Sequence, residues 1–165
     1  KYQLGLSQAD LAAYALRLGS DCPFFIYNKP MFATGRGEIF EPLPLNLDGY
    51  HFVIIHPRLH ISTAQAFSRI KPVPAPQSLA GAVMRPVAEW KNLISNDFEA
   101  AAFYFFPELR GVKEWLYDTG AVYASMTGTG SCFFGIFEPG AAPEHFDHTG
   151  LNPAWEVWTV PASKA

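Results

Sequence analysis

Along the chain, hydrophobic positions shift between helical and strand spacing, with a proline-rich break between a short first segment and a longer second one. Ser7 followed by Asp10 makes a capping-box variant, with Asp where Glu is usual. Leu11, Ala15 and Leu18 then fall on one helical face, so the spacing predicts a helix over 8–18 closed by Gly19. A tight polar turn, Gly19-Ser20-Asp21-Cys22-Pro23, comes next. Residues 24–27 and 31–34 read as short strands joined by Asn28-Lys29-Pro30, and 39–43 as a third strand after the turn Gly35-Arg36-Gly37. Pro42, Pro44, Asn46, Asp48 and Gly49 cluster in residues 42–49, which reads as a domain boundary.

Beyond the break, residues 52–55 are wholly apolar and predict a strand buried on both faces, ending at His56-Pro57. Ser62 can cap a helix over 63–70 that carries Ala66 and Phe67. Residues 71–77 hold three prolines and predict an extended loop. Residues 79–94 are helical in part, limited by Pro86. Ser95 or Asn96 caps a helix over 97–106. Pro107 opens the next, 107–118, with Leu109, Val112 and Leu116 on one face and Gly120 at its end. Residues 122–126 and 132–137 are strands flanking Thr127-Gly128-Thr129-Gly130, a hairpin with a glycine-rich connection. A weak helix at 143–149 and a last strand at 155–160 complete the order. That order suits an α+β fold, a two-layer sandwich of ferredoxin-like type. There is no internal repeat.

Composition agrees with a folded chain. Of 165 residues, 49% are hydrophobic and 16% charged. That is enough apolar surface for a core and too little charge for a disordered chain. The net charge of −3 lacks the basic excess of a nucleic-acid binder. The two cysteines, Cys22 and Cys132, form no disulfide framework and point to a reducing cytoplasm. Apolar runs such as 100–106 and 132–137 are far too short for a membrane span. The start, Lys1-Tyr2-Gln3, shows no signal-peptide pattern and lies close to a helix, as expected of a fragment.

Three places could carry chemistry. In the first, Gly19 frees the backbone and Pro23 fixes it, so Asp21 sits on a rigid turn. A carboxylate there either accepts a proton from a hydroxyl in phosphoryl transfer or caps the turn through an Asx-type hydrogen bond, the commoner use of Asp in turns. In the second, Thr127, Gly128, Thr129, Gly130 and Ser131 expose N–H groups and hydroxyls that can face phosphate oxygens. No Lys follows, so this is not a P-loop. A strand follows, so it is not the dinucleotide fingerprint. A hairpin that simply needs small residues explains the same string. In the third, Thr63 and Phe67 share a helix. An exposed Phe can stack on a base beside a Thr that hydrogen-bonds it, whereas Phe on an amphipathic helix is more often core. His51, His56, His60, His145 and His148 show no metal-ligand spacing, so no metal site is expected of them. Phe103, Phe105, Phe106, Trp115 and Trp155 are core candidates.

The order of short blocks says more than any one of them. Leu-Gly-Ser-Asp-Cys-Pro-Phe-Phe (18–25) precedes Ala-Thr-Gly-Arg-Gly-Glu (33–38), then His-Pro (56–57) and Ile-Ser-Thr-Ala-Gln-Ala-Phe (61–67). Ser-Asn-Asp-Phe-Glu (95–99), Phe-Pro-Glu-Leu (106–109) and Met-Thr-Gly-Thr-Gly-Ser (126–131) follow. This series resembles the GHMP kinases. Within them it resembles the branch that uses ATP to phosphorylate the 2-hydroxyl of a cytidine-diphosphate sugar-alcohol in non-mevalonate isoprenoid biosynthesis. The resemblance implies Asp21 as catalytic base, Phe67 as the aromatic that stacks on cytosine, with Thr63 beside it, and 127–131 as the third motif, near the phosphates. It implies ATP and Mg2+ for the whole enzyme. Residues 1–47 then correspond to the tail of a ribosomal protein S5-like N-terminal domain, and 48–165 to the ferredoxin-like C-terminal domain.

The family's ATP loop and the Lys that partners the catalytic Asp precede the point where this chain begins. The chain alone is therefore expected to bind ATP and Mg2+ poorly and to be inactive, with exposed apolar surface that can drive self-association. Two alternatives stay open: another GHMP kinase, of homoserine or mevalonate type, and a non-catalytic ferredoxin-like module that binds a small ligand.

Overall fold

The computed structural model describes residues 5–71, 73, 78–141 and 149–161. The chain divides into two compact units, one through Asn46 and one from Leu47. All but the last residue of the expected weak helix at 143–149, and most of the 71–77 loop, lie outside the described residues.

The first unit opens with α1 (Gln8–Leu16). Its capping box forms as the sequence predicts: Ser7 Oγ accepts from Asp10 N at 3.1 Å, and the Asp10 carboxylate accepts from Ser7 N at 3.0 Å. The Ser7 hydroxyl, which donates to the Asp10 carboxylate at 2.6 Å, and the Ser7 N–H hold that carboxyl below the usual carboxylate range. The helix stops two residues early, so Leu18 lies beyond it and is exposed. Residues 24–27 are not a strand. They belong to α2 (Cys22–Tyr27), with Pro23 in its first turn and Asn28 closing it in the left-handed region at φ 47°. Pro has no N–H to lose in a first helical turn, and Asn tolerates positive φ, so these two flanks outweigh the strand preference of a four-residue apolar run. β1 (Met31–Thr34) and β2 (Ile39–Pro42) then pair as an antiparallel hairpin.

The second unit is an antiparallel four-stranded sheet with helices. Its strands are β3 (His51–His56), β4 (Tyr123–Met126), β5 (Phe133–Phe137) and β6 (Glu156–Pro161). Their spatial order is β4-β5-β3-β6, the order of a ferredoxin-like sandwich with the first strand between the third and fourth. Between β3 and β4 run α3 (Thr63–Ser68), α4 (Leu79–Val83), a 3-10 turn (Val87–Glu89), α5 (Trp90–Leu93), α6 (Phe98–Phe105) and α7 (Leu109–Asp118). Pro86 falls in the break before the 3-10 turn, as its missing N–H requires. At the other end, Gly120 takes φ 103° and Ala121 N reaches back to Leu116 O at 2.9 Å, a Schellman closure of α7.

Strand alternation explains the core. Val53, Ile55, Ala124, Met126, Phe133 and Phe137 point to one face and are buried against Leu109, Val112 and Leu116 of α7 and Ala102 of α6. Each of the larger side chains removed from water contributes about 1.5–3 kcal/mol. The opposite face carries Phe52, Ile54, Phe134, Ile136 and Tyr123 in register. Trp90 packs edge-on against Tyr123 there, with ring centres 5.6 Å apart. Phe52 and Ile54 are only half-buried, so β3 is fully buried on one face and not on both as the apolar run predicts.

Candidate functional site

Candidate chemistry occurs in each unit. In the first, Asp21 sits between two helices, not between a helix and a strand. It holds the N-cap position of α2 with φ −85°, ψ −14°, and its side chain makes no capping bond. The residue two ahead is Pro23, which has no N–H, so an Asx-type bond at that position is impossible. The carboxylate accepts from Ser20 Oγ at 3.3 Å. It lines a cavity of about 210 Å3 with Phe24, Phe25, Met31, Gly37 and Phe40. An exposed carboxylate without a capping bond is free to take a proton from a bound hydroxyl.

In the second unit the 127–131 loop joins β4 to β5. Thr127 N donates to Cys132 O at 2.8 Å, and Gly130 N to Thr127 O at 3.1 Å. Gly128 and Gly130 take φ 55° and 95°, in the left-handed region that favours glycine. Side chains from elsewhere hold this loop. Asn96 Nδ2 donates to Met126 O and to Gly128 O, both at 2.8 Å. Its Oδ1 accepts from Phe98 N at 2.9 Å, while the N-cap position of α6 falls on Asp97, whose side chain makes no capping bond, and not on Ser95 or Asn96 as the sequence predicts. Glu99, buried on α6, accepts from Met126 N at 2.9 Å and from Lys113 Nζ at 2.6 Å. Ser131 Oγ donates to Leu59 O at 2.6 Å.

The same 95–99 stretch reaches the third candidate. Thr63 and Phe67 stand one turn apart on α3, both exposed. Phe67 is 61% exposed and is not a core residue. Its ring meets Phe98 edge-on at 4.9 Å. Phe98 is thus the neighbour of both a free aromatic face and, through Asn96 and Glu99, the glycine-rich loop. Beside them Arg69, Lys71 and Arg110 line a groove of about 530 Å3 with Asn96 and Phe103. The Arg69 guanidinium carbon lies over the Tyr104 ring, 3.5 Å from its centre, a cation–π contact.

Asn96, Glu99 and Lys113 are residues to which sequence reasoning assigns no chemistry. A signal was present: Glu99 lies in an otherwise apolar helix, Phe-Glu-Ala-Ala-Ala-Phe-Tyr-Phe, and a buried acid needs partners. Among the described residues no group of three or more His, Cys, Asp or Glu gathers as a metal site, and no helix is long and apolar enough to cross a membrane.

Residues 80–146 match the family described as GHMP kinases C terminal. The 4-diphosphocytidyl-2-C-methyl-D-erythritol kinase of Bacteroides thetaiotaomicron is 49% identical over 144 residues, which are 87% of this chain and 53% of that protein. The enzyme of the same name from Parabacteroides distasonis is 41% identical over 155 residues, 94% of this chain and 56% of that protein. A crystal structure of 4-(cytidine 5'-diphospho)-2C-methyl-D-erythritol kinase superposes with a TM-score of 0.59 at 31% identity, over 77% of this chain and 47% of that one. Homoserine kinase from Cytophaga hutchinsonii superposes with a TM-score of 0.57 at 18% identity, over 93% and 57%, a likeness of fold alone. The chain spans about half the length of the curated relatives it matches.

Proposed function

The chain carries the C-terminal domain of the GHMP kinases, and from that premise we propose that it supplies the acceptor side of a 4-diphosphocytidyl-2-C-methyl-D-erythritol kinase. Residues 1–47 are assigned to the end of the N-terminal domain and 48–165 to the C-terminal domain. The exposed ring of Phe67 carries the proposal. It offers one free face for cytosine, with Thr63 one turn away to hydrogen-bond the base, and it lies on Phe98, whose segment holds the 127–131 loop.

In the proposed reaction Asp21 accepts the proton of the substrate's 2-hydroxyl. The alkoxide oxygen forms a bond to the γ-phosphorus of ATP as the bond to the ADP oxygen breaks. In the 127–131 loop the N–H groups of Thr127 and Gly130 and the Ser131 hydroxyl hold the loop's own shape, which leaves the N–H groups of Gly128, Thr129 and Ser131 and the hydroxyls of Thr127 and Thr129 as donors for the phosphate oxygens, held in place beforehand. Mg2+ would come with the ATP phosphates, since this ion is commonly held by phosphate oxygens, waters and one or two carboxylates. Both cysteines are free thiols, which supports a reducing, cytoplasmic setting. Leu18, Phe25 and Ile39 are exposed on the first unit and support self-association of the isolated chain.

The test is ATP-dependent phosphorylation of 4-diphosphocytidyl-2-C-methyl-D-erythritol by the protein from the complete reading frame, compared with homoserine and mevalonate. Activity on the cytidylyl substrate that is lost in Asp21→Asn supports the proposal. Activity on homoserine or mevalonate instead reassigns the substrate. A reading frame without an ATP loop, with ligand binding but no turnover, favours the non-catalytic module.

A further inference from the structure

We infer that Gly37 is a positioning residue for Asp21: the turn between β1 and β2 presses a bare Cα against the carboxylate and fixes where it points. A Cβ built on Gly37 would stand 2.7 Å from Asp21 Oδ1 and 3.9 Å from Ser20 Oγ. Real side chains do not approach that closely, so any residue other than glycine must move something. The cheapest thing to move is the Asp21 carboxylate, which swings about two side-chain torsions and is tied down by the bond from Ser20. The turn itself is the stiffer partner. Gly37 N donates to Thr34 O at 3.1 Å, and the Glu38 carboxylate turns back to accept from Arg36 N at 2.5 Å. Backbone N–H groups, Glu38's own first, keep that carboxyl below the usual carboxylate range.

Asp21 therefore owes its aim to packing, not to a hydrogen-bonded cap, and the space it occupies exists because position 37 has no side chain. The inference rests on the reading of Asp21 as the base. Gly35 provides the control. It lies in the same turn at φ 69°, against 101° for Gly37, and the three atoms nearest to a Cβ there all belong to the Glu38 side chain, at 3.2–3.3 Å. Gly35→Ala puts its methyl nearest to Glu38 and tests strain in the turn, while the Asp21→Asn background separates backbone strain at φ 101° from displacement of the Asp21 carboxylate.

The experiment measures kinetics of the protein from the complete reading frame as wild type, Gly37→Ala, Gly35→Ala, Asp21→Asn and Gly37→Ala/Asp21→Asn. Misplacing a catalytic group by about 1 Å costs about 100-fold, so kcat of Gly37→Ala should fall by that order while KM for both substrates holds within about threefold. Gly35→Ala should keep most of its kcat. In the Asp21→Asn background Gly37→Ala should change kcat by less than about twofold, because the group it acts through is already gone. Equal losses in the two glycine variants overturn the inference, as does an additive double variant. Failure of Gly37→Ala to fold, read by circular dichroism, also overturns it, because the backbone would then have yielded instead of the carboxylate. An Asp21→Asn protein with unchanged kcat sinks the base reading itself, and the inference with it. A dead Asp21→Asn beside an unaffected Gly37→Ala sinks the inference alone.

Discussion

Glu99 and Lys113, on neighbouring helices α6 and α7, pair at 2.6 Å, and the other oxygen of the same Glu99 carboxylate takes the N–H of Met126 at 2.9 Å. One acid thereby ties two helices to the end of β4, where the 127–131 loop begins. Its Oε1 also accepts from Ser125 Oγ at 3.3 Å, so both oxygens of a nearly buried carboxylate are occupied.

Glu99→Gln keeps the shape and removes the charge. Charge-assisted hydrogen bonds contribute about 1.5–3 kcal/mol, and Lys113 can recover part of this by turning to solvent. The expected outcome is a loss toward the lower end of that range in urea denaturation, with an unchanged m-value. A loss indistinguishable from zero would mean that the pair carries no net weight.

Asn96→Ala removes two donors to the loop and one acceptor at the start of α6. The expected result is faster hydrogen exchange at Gly128 and Gly130, while amides of β3 and β5 keep their protection. Each lost bond accounts for about 0.5–1.5 kcal/mol of local opening free energy. Uniform acceleration across the sheet would show instead that Asn96 supports the whole unit.

Phe67→Ala should barely change thermal stability, because the ring is 61% exposed and touches chiefly Phe98. Under the proposed function it should weaken binding of a cytidine diphosphate by about 1–3 kcal/mol, the usual worth of one base stacked on an aromatic ring. Calorimetric titration of the protein from the complete reading frame, with uridine diphosphate for comparison, measures both size and selectivity. Unchanged affinity in Phe67→Ala would remove Phe67 from the site.

Burial pushes the Cys132 thiol above its ordinary value. At a pH near the ordinary thiol range it holds less thiolate than a solvated cysteine, so alkylation by iodoacetamide should be slow in the folded protein and normal in denaturant. The same shift has a sign for stability. The native state keeps a proton that the unfolded chain releases, so this contribution is full below the ordinary thiol pKa and is lost as pH rises from there through the raised value of the folded state. A Cys132 that reacts as fast folded as unfolded would contradict the burial.

Local chemistry in the sequence determined much of this molecule. Ser7 and Asp10, and Ser62 with Gln65, write their own helix starts, because a capping box needs only residues three apart. Leu109, Val112 and Leu116 declare the buried face of α7 by helical spacing. The glycine-rich string between two apolar runs declares a hairpin. The run at 24–27 misleads for the same local reason: four apolar residues suit either period, and the deciding signals are Pro23 and Asn28 on its flanks. The tertiary structure alone decided what no spacing can carry. Asn96 meets carbonyls 30 and 32 residues away, and Glu99 an amide 27 residues away. Whether Phe67 was core or surface depended on what the next helix covers. The space for Asp21 depended on how closely the turn at Gly37 folds back on it, and close approach is a property of packed surfaces, not of neighbours in the chain.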